Sequence, residues 1–300
     1  MTAVVITGAA GFLGRHLADG LLAAGSRVVG VVRPGTARRL RFPAANAQVV
    51  EADLRFPLDR LAEALAGADA VIHAAALRRE RPRRGETYEA VHVEGTARLA
   101  TAARWAGVKR IVLISCLGTA AAFDSPYLRS KAEAERVVAA SGLRWTILRC
   151  GLIYGPGDGR ITRLARWMRW TGRAPVVEDG RFPVQPIAVG DVVAGCVRAA
   201  AGDLDNQILA AAGPDVLSYA DMIDLVAAAL DRRLPRLRVS LSLTRVLGGL
   251  GRAVGMVPWT ADELEVMMRG QTCDPSAYFR AAGVDRPLPF SAAVRLYLPV

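Results

Sequence analysis

Lysine is nearly absent from this chain: its 300 residues hold 37 arginines, but only Lys109 and Lys131 as lysines. Cysteine is scarce as well, and Cys116, Cys150, Cys196 and Cys273 lie far apart with no CxxC pair. That excludes a disulfide framework. With only His16, His73 and His92, at no ligating spacing, it also excludes a zinc site, so no metal is expected and the histidines read as structural. A reducing, cytoplasmic setting follows from the same usage. No apolar run approaches the ~20 residues of a bilayer span, and MTAVVITGAA carries no basic segment of a signal peptide. Repeats and low-complexity linkers are missing too. The net charge of +11 comes without a nucleic-acid motif or an aromatic-interleaved basic stripe, so nucleic acid is not an expected partner. The arginine surplus, beside abundant alanine, fits a GC-rich genome.

What is present is alternation. Val4–Thr7, Arg27–Val32, Gln48–Glu51, Ala70–Ala74, Arg110–Ser115 and Arg144–Arg149 read as short apolar strands. Phe12–Ala24, Leu58–Ala66, Thr87–Ala106 and Pro126–Ala140 read as the helices between them. Such spacing makes βαβ units and a parallel sheet with right-handed crossovers. The expected fold is therefore α/β, a Rossmann-like doubly wound sheet over residues 1–155, with 187–212 returning to it. Residues 156–186 and 213–300 are expected to form a smaller, mostly helical substrate-binding lobe.

The first βα unit reads TGAAGFLGRHL. Gly8, Gly11 and Gly14 let the backbone turn tightly and approach a pyrophosphate at a helix N-terminus, where Phe12 and Leu13 also lie. The match carries weight because it follows a strand and opens a helix. An acid at the end of the second strand would hold NAD ribose hydroxyls; the chain instead offers Arg33, with Arg38 behind it, in VVRPGTARR. That favours NADP(H) over NAD(H). Asp53, with Leu54 beside it, is placed to meet the adenine amino group. Ala74, Ala75 and Ala76 present small side chains where the cofactor backbone must pass.

Tyr127 and Lys131, in YLRSK, are four apart and share one helical face. Free tyrosine titrates near pH ~10, and a nearby ammonium favours its phenolate. The pair can then exchange a proton with a carbonyl oxygen while hydride moves at the adjacent carbon. Chance would place about 0.04 YxxxK pairs in this composition. A solvated helical face is the bland alternative.

TGAAGFLG, VIHAAA, YLRSKAEAE and LRCGLIYGPGD occur in an order that resembles the extended short-chain dehydrogenases/reductases, the superfamily of epimerases, dehydratases and reductases. The resemblance is specific over roughly residues 1–200. SCLGT…SPYLRSKAEAE is similar to the branch holding the NADPH-binding accessory subunit of respiratory complex I and its bacterial relatives. It implies that Tyr127 and Lys131 are the acid–base pair, that Lys131 also reaches the cofactor ribose, and that Cys150 and Gly151 border the cofactor. Three departures stand out. Cys116 occupies the position of the family's usual Ser or Thr, with Ser115 before it and Thr119 after it as alternative donors, and a thiol is a weak donor. Only 12 positions separate Ser115 from Tyr127, and Leu152 stands where sugar-nucleotide epimerases carry Asn.

The expected function is hydride transfer between NADP(H) and a carbonyl or secondary alcohol of a small or hydrophobic substrate. A non-catalytic NADPH-binding protein, structural or sensing, is the alternative, and a sugar-nucleotide epimerase or dehydratase ranks third. Two basic stretches, GRITRLARWMRWTGR and RRERPRRGE at 78–86, read as solvated faces, with an anionic substrate or peripheral anionic membrane surface as their other use. The apolar stretch Leu241–Trp259 reads as core. Oligomeric state stays open.

Overall fold

The structure is a computed structural model that describes residues 2–40, 46–56, 59–120, 125–242, 259, 261–270 and 272–298. The chain divides into two compact units. The first comprises Met1–Cys150, Gly190–Ala211 and Ser276–Asp285; the second comprises Gly151–Val189, Ala212–Pro275 and Arg286–Val300.

In the first unit, β1 (Ala3–Thr7), β2 (Arg27–Val32), β3 (Ala47–Glu51), β4 (Ala70–His73), β5 (Arg110–Cys116), β6 (Arg144–Cys150) and β11 (Gln207–Ala211) form one sheet in the order β11-β6-β5-β4-β1-β2-β3. Every pairing is parallel. Strands of a parallel sheet are covered on both faces, which is why β4 is buried at all of its positions. The covering helices are α1 (Phe12–Ala23), α2 (Asp59–Leu65), α3 (Glu94–Trp105), α4 (Pro126–Ala139) and α6 (Val189–Ala201). On one face Val5, Val71, Leu113 and Ile147 pack with Leu99 and Ala103 of α3 and with Ala134 and Val138 of α4. Strand order reverses between β1 and β4, and in such sheets ligands bind in the crevice beyond the carboxyl ends at that point.

Two local features shape that edge. The expected helix over Thr87–Ala106 opens with a wide π-type turn at Glu89–Val93 before α3, and the turn carries the buried His92. Single π turns in helices recur at functional sites. The start of α4 is fixed by Ser125, whose hydroxyl accepts from Leu128 N at 3.4 Å, with Pro126 at the first helical position.

Helices make up most of the regular structure of the second unit, as expected, with short strands between them. It holds three two-stranded ladders: β7 (Ile153–Tyr154) with β10 (Ile187–Ala188), β8 (Ala174–Val177) with β13 (Arg236–Val239), and β9 (Pro183–Val184) with β12 (Leu217–Ser218). Around them lie α5 (Ile161–Thr171), α7 (Tyr219–Ala229), α8 (Ala261–Met268) and α10 (Phe290–Tyr297), over a core containing Tyr154, Met168, Tyr219 and Phe290. The α5 stretch is amphipathic: Ile161, Leu164, Trp167 and Met168 are buried, while Arg163, Arg166, Arg169 and Trp170 lie on its outer side. Its N-terminus is satisfied by Asp158, which accepts from Ile161 N at 2.7 Å and Thr162 N at 3.2 Å.

One correction concerns α9 (Ser276–Ala282), expected in the smaller lobe but part of the first unit. Tyr278 anchors it there, its hydroxyl donating to Asp191 O at 2.8 Å. Its ring lies over Gly195, where an added Cβ would come within 2.5 Å of the Tyr278 hydroxyl oxygen. Most of Leu241–Trp259 lies outside the described residues. Among the described residues no helix is long and apolar enough to cross a membrane, and no His, Cys, Asp and Glu cluster could hold a metal ion.

Candidate cofactor and active site

Beyond β1 the chain makes the glycine turn. Gly8 has φ of +73°, where only glycine is unstrained, and a Cβ there would lie 2.8 Å from the Ala75 backbone. Gly11 N donates to Gly8 O at 2.9 Å, and a Cβ on Gly14 would lie 2.7 Å from Ala9 Cα. Position 8 thus needs glycine for its dihedral and position 14 for its packing. Together they aim the start of α1 at the crevice, with no acidic side chain in its first turn. An anion is favoured at such an end by free backbone N–H groups and the helix dipole.

A cavity of about 260 Å³ opens here, lined by Gly8 and Gly11, by Arg33 and Thr36 after β2, by Asp53 and Leu54 after β3, and by Ala74, Ala75 and Ala76 after β4. Eight of the expected cofactor residues therefore converge on one cavity. Gly14 is buried beneath the turn, Phe12 packs edge-on to His16 at 5.3 Å, and Arg38 lies exposed outside the lining. The residues fit a dinucleotide: a backbone cradle for phosphate, small side chains beside it, and polar groups at the second and third strand ends.

Two polar groups are not as the sequence suggests. Both Asp53 carboxylate oxygens are gripped by Arg55, at 3.0 Å from Nε and 2.7 Å from Nη2. Burial alone would raise the Asp53 pKa, but the Arg55 bonds outweigh it and hold the carboxyl below its usual range. Asp53 is therefore held in an ion pair rather than left as a free carboxylate. No acid stands at the end of β2, as the sequence reads, but Glu86, distant in sequence, accepts from Arg33 Nη1 at 3.0 Å and lines the cavity. In segment 78–86 the arginines are exposed, as a solvated charge run requires, and residues 81–86 close into a hairpin. Arg81 N donates to Glu86 O at 2.6 Å, Glu86 N returns to Arg81 O at 3.2 Å, and Gly85 takes φ of +63°.

On α4, Tyr127, Lys131 and Glu135 follow one another at four-residue steps and meet the ends of β5 and β6. Lys131 is buried, and its ammonium donates to Ile114 O at 2.6 Å. Burial pushes its pKa down. The Cys116 thiol is hydrogen-bonded with the Tyr127 side chain, and burial raises that thiol to about 11, so it stays neutral. Cys150 pairs with Cys116 across the β5–β6 ladder and is raised to about 12 by burial. Gly151 begins the second unit.

Ser115 does not share the Tyr127 environment, a correction to its candidacy as the substrate's hydrogen-bond donor. Adjacent strand residues face opposite ways, and Ser115 Oγ donates to Glu135 at 2.5 Å, as Thr119 Oγ1 does at 2.8 Å. Arg149 closes the cluster on Glu135 through Nε and Nη2, at 3.1 and 2.7 Å. Burial alone would raise Glu135, but Arg149 and the two hydroxyls hold it below its usual range.

The two buried histidines form a directed chain that sequence reasoning passed over. His92 Nε2 accepts from Leu77 N at 2.8 Å, so in the neutral ring Nδ1 carries the proton and donates to Ser130 Oγ at 2.9 Å. Ser130 in turn donates to Tyr127 O at 2.8 Å. Behind it, Thr96 donates to His92 O, so His73 Nε2 donates to Thr96 Oγ1 at 3.0 Å while Nδ1 accepts from Thr7 Oγ1 at 2.7 Å. Burial first, then the Lys131 charge, pushes both rings down to about 3. Tyr88 stacks on His92 at 5.2 Å and meets Tyr127 edge-on at 5.5 Å. The one signal available in sequence was a histidine at the end of the otherwise apolar β4 strand.

Sheet order, glycine turn and the Tyr127–Lys131 face define a Rossmann protein of the extended short-chain dehydrogenase/reductase type. Residues 8–167 match the NAD(P)H-binding family, and the chain belongs to it. It is 29% identical over 229 residues to NADH dehydrogenase (ubiquinone) 1 alpha subcomplex subunit 9, mitochondrial, of Arabidopsis thaliana, covering 74% of this chain and 56% of that one. It is 38% identical over 176 residues to the ceramide reductase of Caulobacter vibrioides, covering 58% and 52%. A 3-diazoavenalumate denitrifying reductase of a Streptomyces species is 32% identical over 220 residues, covering 65% and 71%. The chain spans about half the length of the first two relatives. Among solved structures, MoeE5 in complex with UDP-glucose and NAD superposes with a TM-score of 0.74 at 25% identity, covering 98% of this chain and 97% of that one.

Proposed function

We propose that this protein is an NADP(H)-dependent oxidoreductase acting on the carbonyl, or secondary alcohol, of a hydrophobic small molecule. The observation that carries the reading is the Tyr127–Lys131 face of α4, with the Lys131 ammonium buried against the end of β5. The glycine turn and α1 would hold the pyrophosphate, and Arg33 the 2′-phosphate. The bound nicotinamide supplies or accepts hydride. Tyr127 delivers the proton to the carbonyl oxygen in reduction and removes it in oxidation. Lys131 favours the phenolate form of Tyr127, and as a rotatable ammonium it can also serve a ribose hydroxyl. Two relatives are named as reductases, one of them of ceramide, which supports a reductive role and an apolar substrate.

A second reading has one observation in its favour. Cys116, a thiol where the family usually has a hydroxyl, is hydrogen-bonded with the Tyr127 side chain, and it is a poor donor to a substrate oxygen. On that reading the protein holds NADPH without turnover. The test is NADPH consumption across long-chain ketones and aldehydes, with a direct NADPH titration alongside. Substrate-dependent oxidation supports the enzyme. Tight binding without oxidation by any carbonyl supports the second reading, and conversion of a UDP-sugar in place of both would show epimerase chemistry.

A further inference from the structure

The Glu86 carboxylate lies between two arginines. Its Oε1 is 3.0 Å from Arg33 Nη1, and its Oε2 is 3.6 Å from Arg81 Nη1. The glutamate side chain is 11% exposed, whereas the arginine side chains are 55% and 60% exposed. Each guanidinium therefore reaches solvent over a carboxylate that lines the nucleotide cavity. The remaining charges at this wall, Asp53 and Arg55, are closed on each other at 2.7 Å. Arg55 also donates to Arg84 O at 2.7 Å, which ties the hairpin to the wall.

We propose that Arg33 and Arg81 together form the binding subsite for a phosphate monoester, the 2′-phosphate of NADP(H), and that Glu86 is its built-in competitor. The inference rests on the cofactor reading above and extends it to two residues of the β4 hairpin. A carboxylate bridging two guanidinium groups has the geometry and charge sign of the phosphate oxygens these groups recognise. A dianionic phosphate entering here repels Glu86 and takes over both cations. Glu86 then lowers NADP(H) affinity and leaves NAD(H), which lacks the phosphate, little affected. The competitor thus sets how strongly the site discriminates, while the arginines set which way.

Glu86→Gln removes the charge but keeps the hairpin, because the Arg81–Glu86 bonds that close it are between backbone atoms. Calorimetric titration of the whole protein with NADP⁺ and with NAD⁺ tests the proposal. Glu86→Gln should tighten NADP⁺ by about tenfold and change NAD⁺ by less than about twofold; Arg81→Gln should weaken NADP⁺ by about tenfold and spare NAD⁺. If wild type binds NADP⁺ and neither variant changes the NADP⁺/NAD⁺ ratio, the proposal is overturned while the cofactor reading stands. If Glu86→Gln weakens NAD⁺ without tightening NADP⁺, Glu86 is a ribose acceptor and the proposal is equally overturned. If wild type binds neither nucleotide, the cofactor reading falls and the subsite with it.

Discussion

His92 Nδ1 lies 2.9 Å from the Ser130 hydroxyl, and that hydroxyl donates to the backbone carbonyl of Tyr127. The wide turn at Glu89–Val93 is thereby tied to the first turn of α4, and Leu77, beside the cofactor cavity, is tied to the same ring.

That chain has a cost in acid. Both His73 and His92 are pushed down to about 3 by burial, against an ordinary value of 6.5. Below pH ~6.5 the unfolded chain gains protons that the folded chain refuses until near pH 3. Stability therefore falls as pH falls through that window, by up to about 1.4 kcal/mol per pH unit for each histidine. Urea unfolding of wild type and His92→Asn at pH 7.5, 6.0 and 5.0 checks this. The variant should lose one histidine's share of the slope, and parallel pH dependences would contradict it.

The Glu135 cluster is expected to act on stability. Breaking a buried ion pair from one side costs about 3–5 kcal/mol, so Glu135→Gln and Arg149→Met should each lower the unfolding midpoint sharply. Ser115→Ala should cost about 1–3 kcal/mol through the lost bond to a buried carboxylate and leave kcat within a few-fold. Because Glu135 is held below its usual pKa, its contribution is present above about pH 4.5 and is lost as pH falls further. A drop in kcat of ~10²-fold for Ser115→Ala without a stability change would return that residue to the active site.

Cys116 is the position where a single atom separates the two functional readings. Serine in its place offers a stronger donor beside Tyr127. Cys116→Ser should hold or raise kcat in a carbonyl reductase, with NADPH affinity unchanged. Steady-state kinetics and titration on the same preparation check both numbers. A tenfold fall in kcat in a stably folded variant would show that the thiol itself is used.

Arg27–Val32 was legible as a strand because Val28, Val29, Val31 and Val32 cluster between a turn and Pro34, and the glycine loop because its spacing is local. Strands five and six extend one residue further, to Cys116 and Cys150, where each pairs with the other. Glu86 was not legible as an Arg33 partner: the contact spans 53 residues and depends on a left-handed Gly85 and a backbone-closed hairpin. The split between Ser115 and Cys116 is a matter of which strand face meets α4. Adjacent letters carry no such information until the sheet and helix are docked. His92 was read as structural from its lack of ligand spacing, and its partners lie 15 and 38 positions away.

The account turns on Tyr127 acting as the proton donor of an NADP(H)-dependent reaction. The direct measurement is kcat and NADPH Kd for wild type and Tyr127→Phe with the best carbonyl substrate from the panel. The account predicts a fall in kcat of ~10²-fold or more with Kd within about twofold, because the phenol acts in the transition state. A variant that keeps most of its turnover while binding NADPH normally would contradict it.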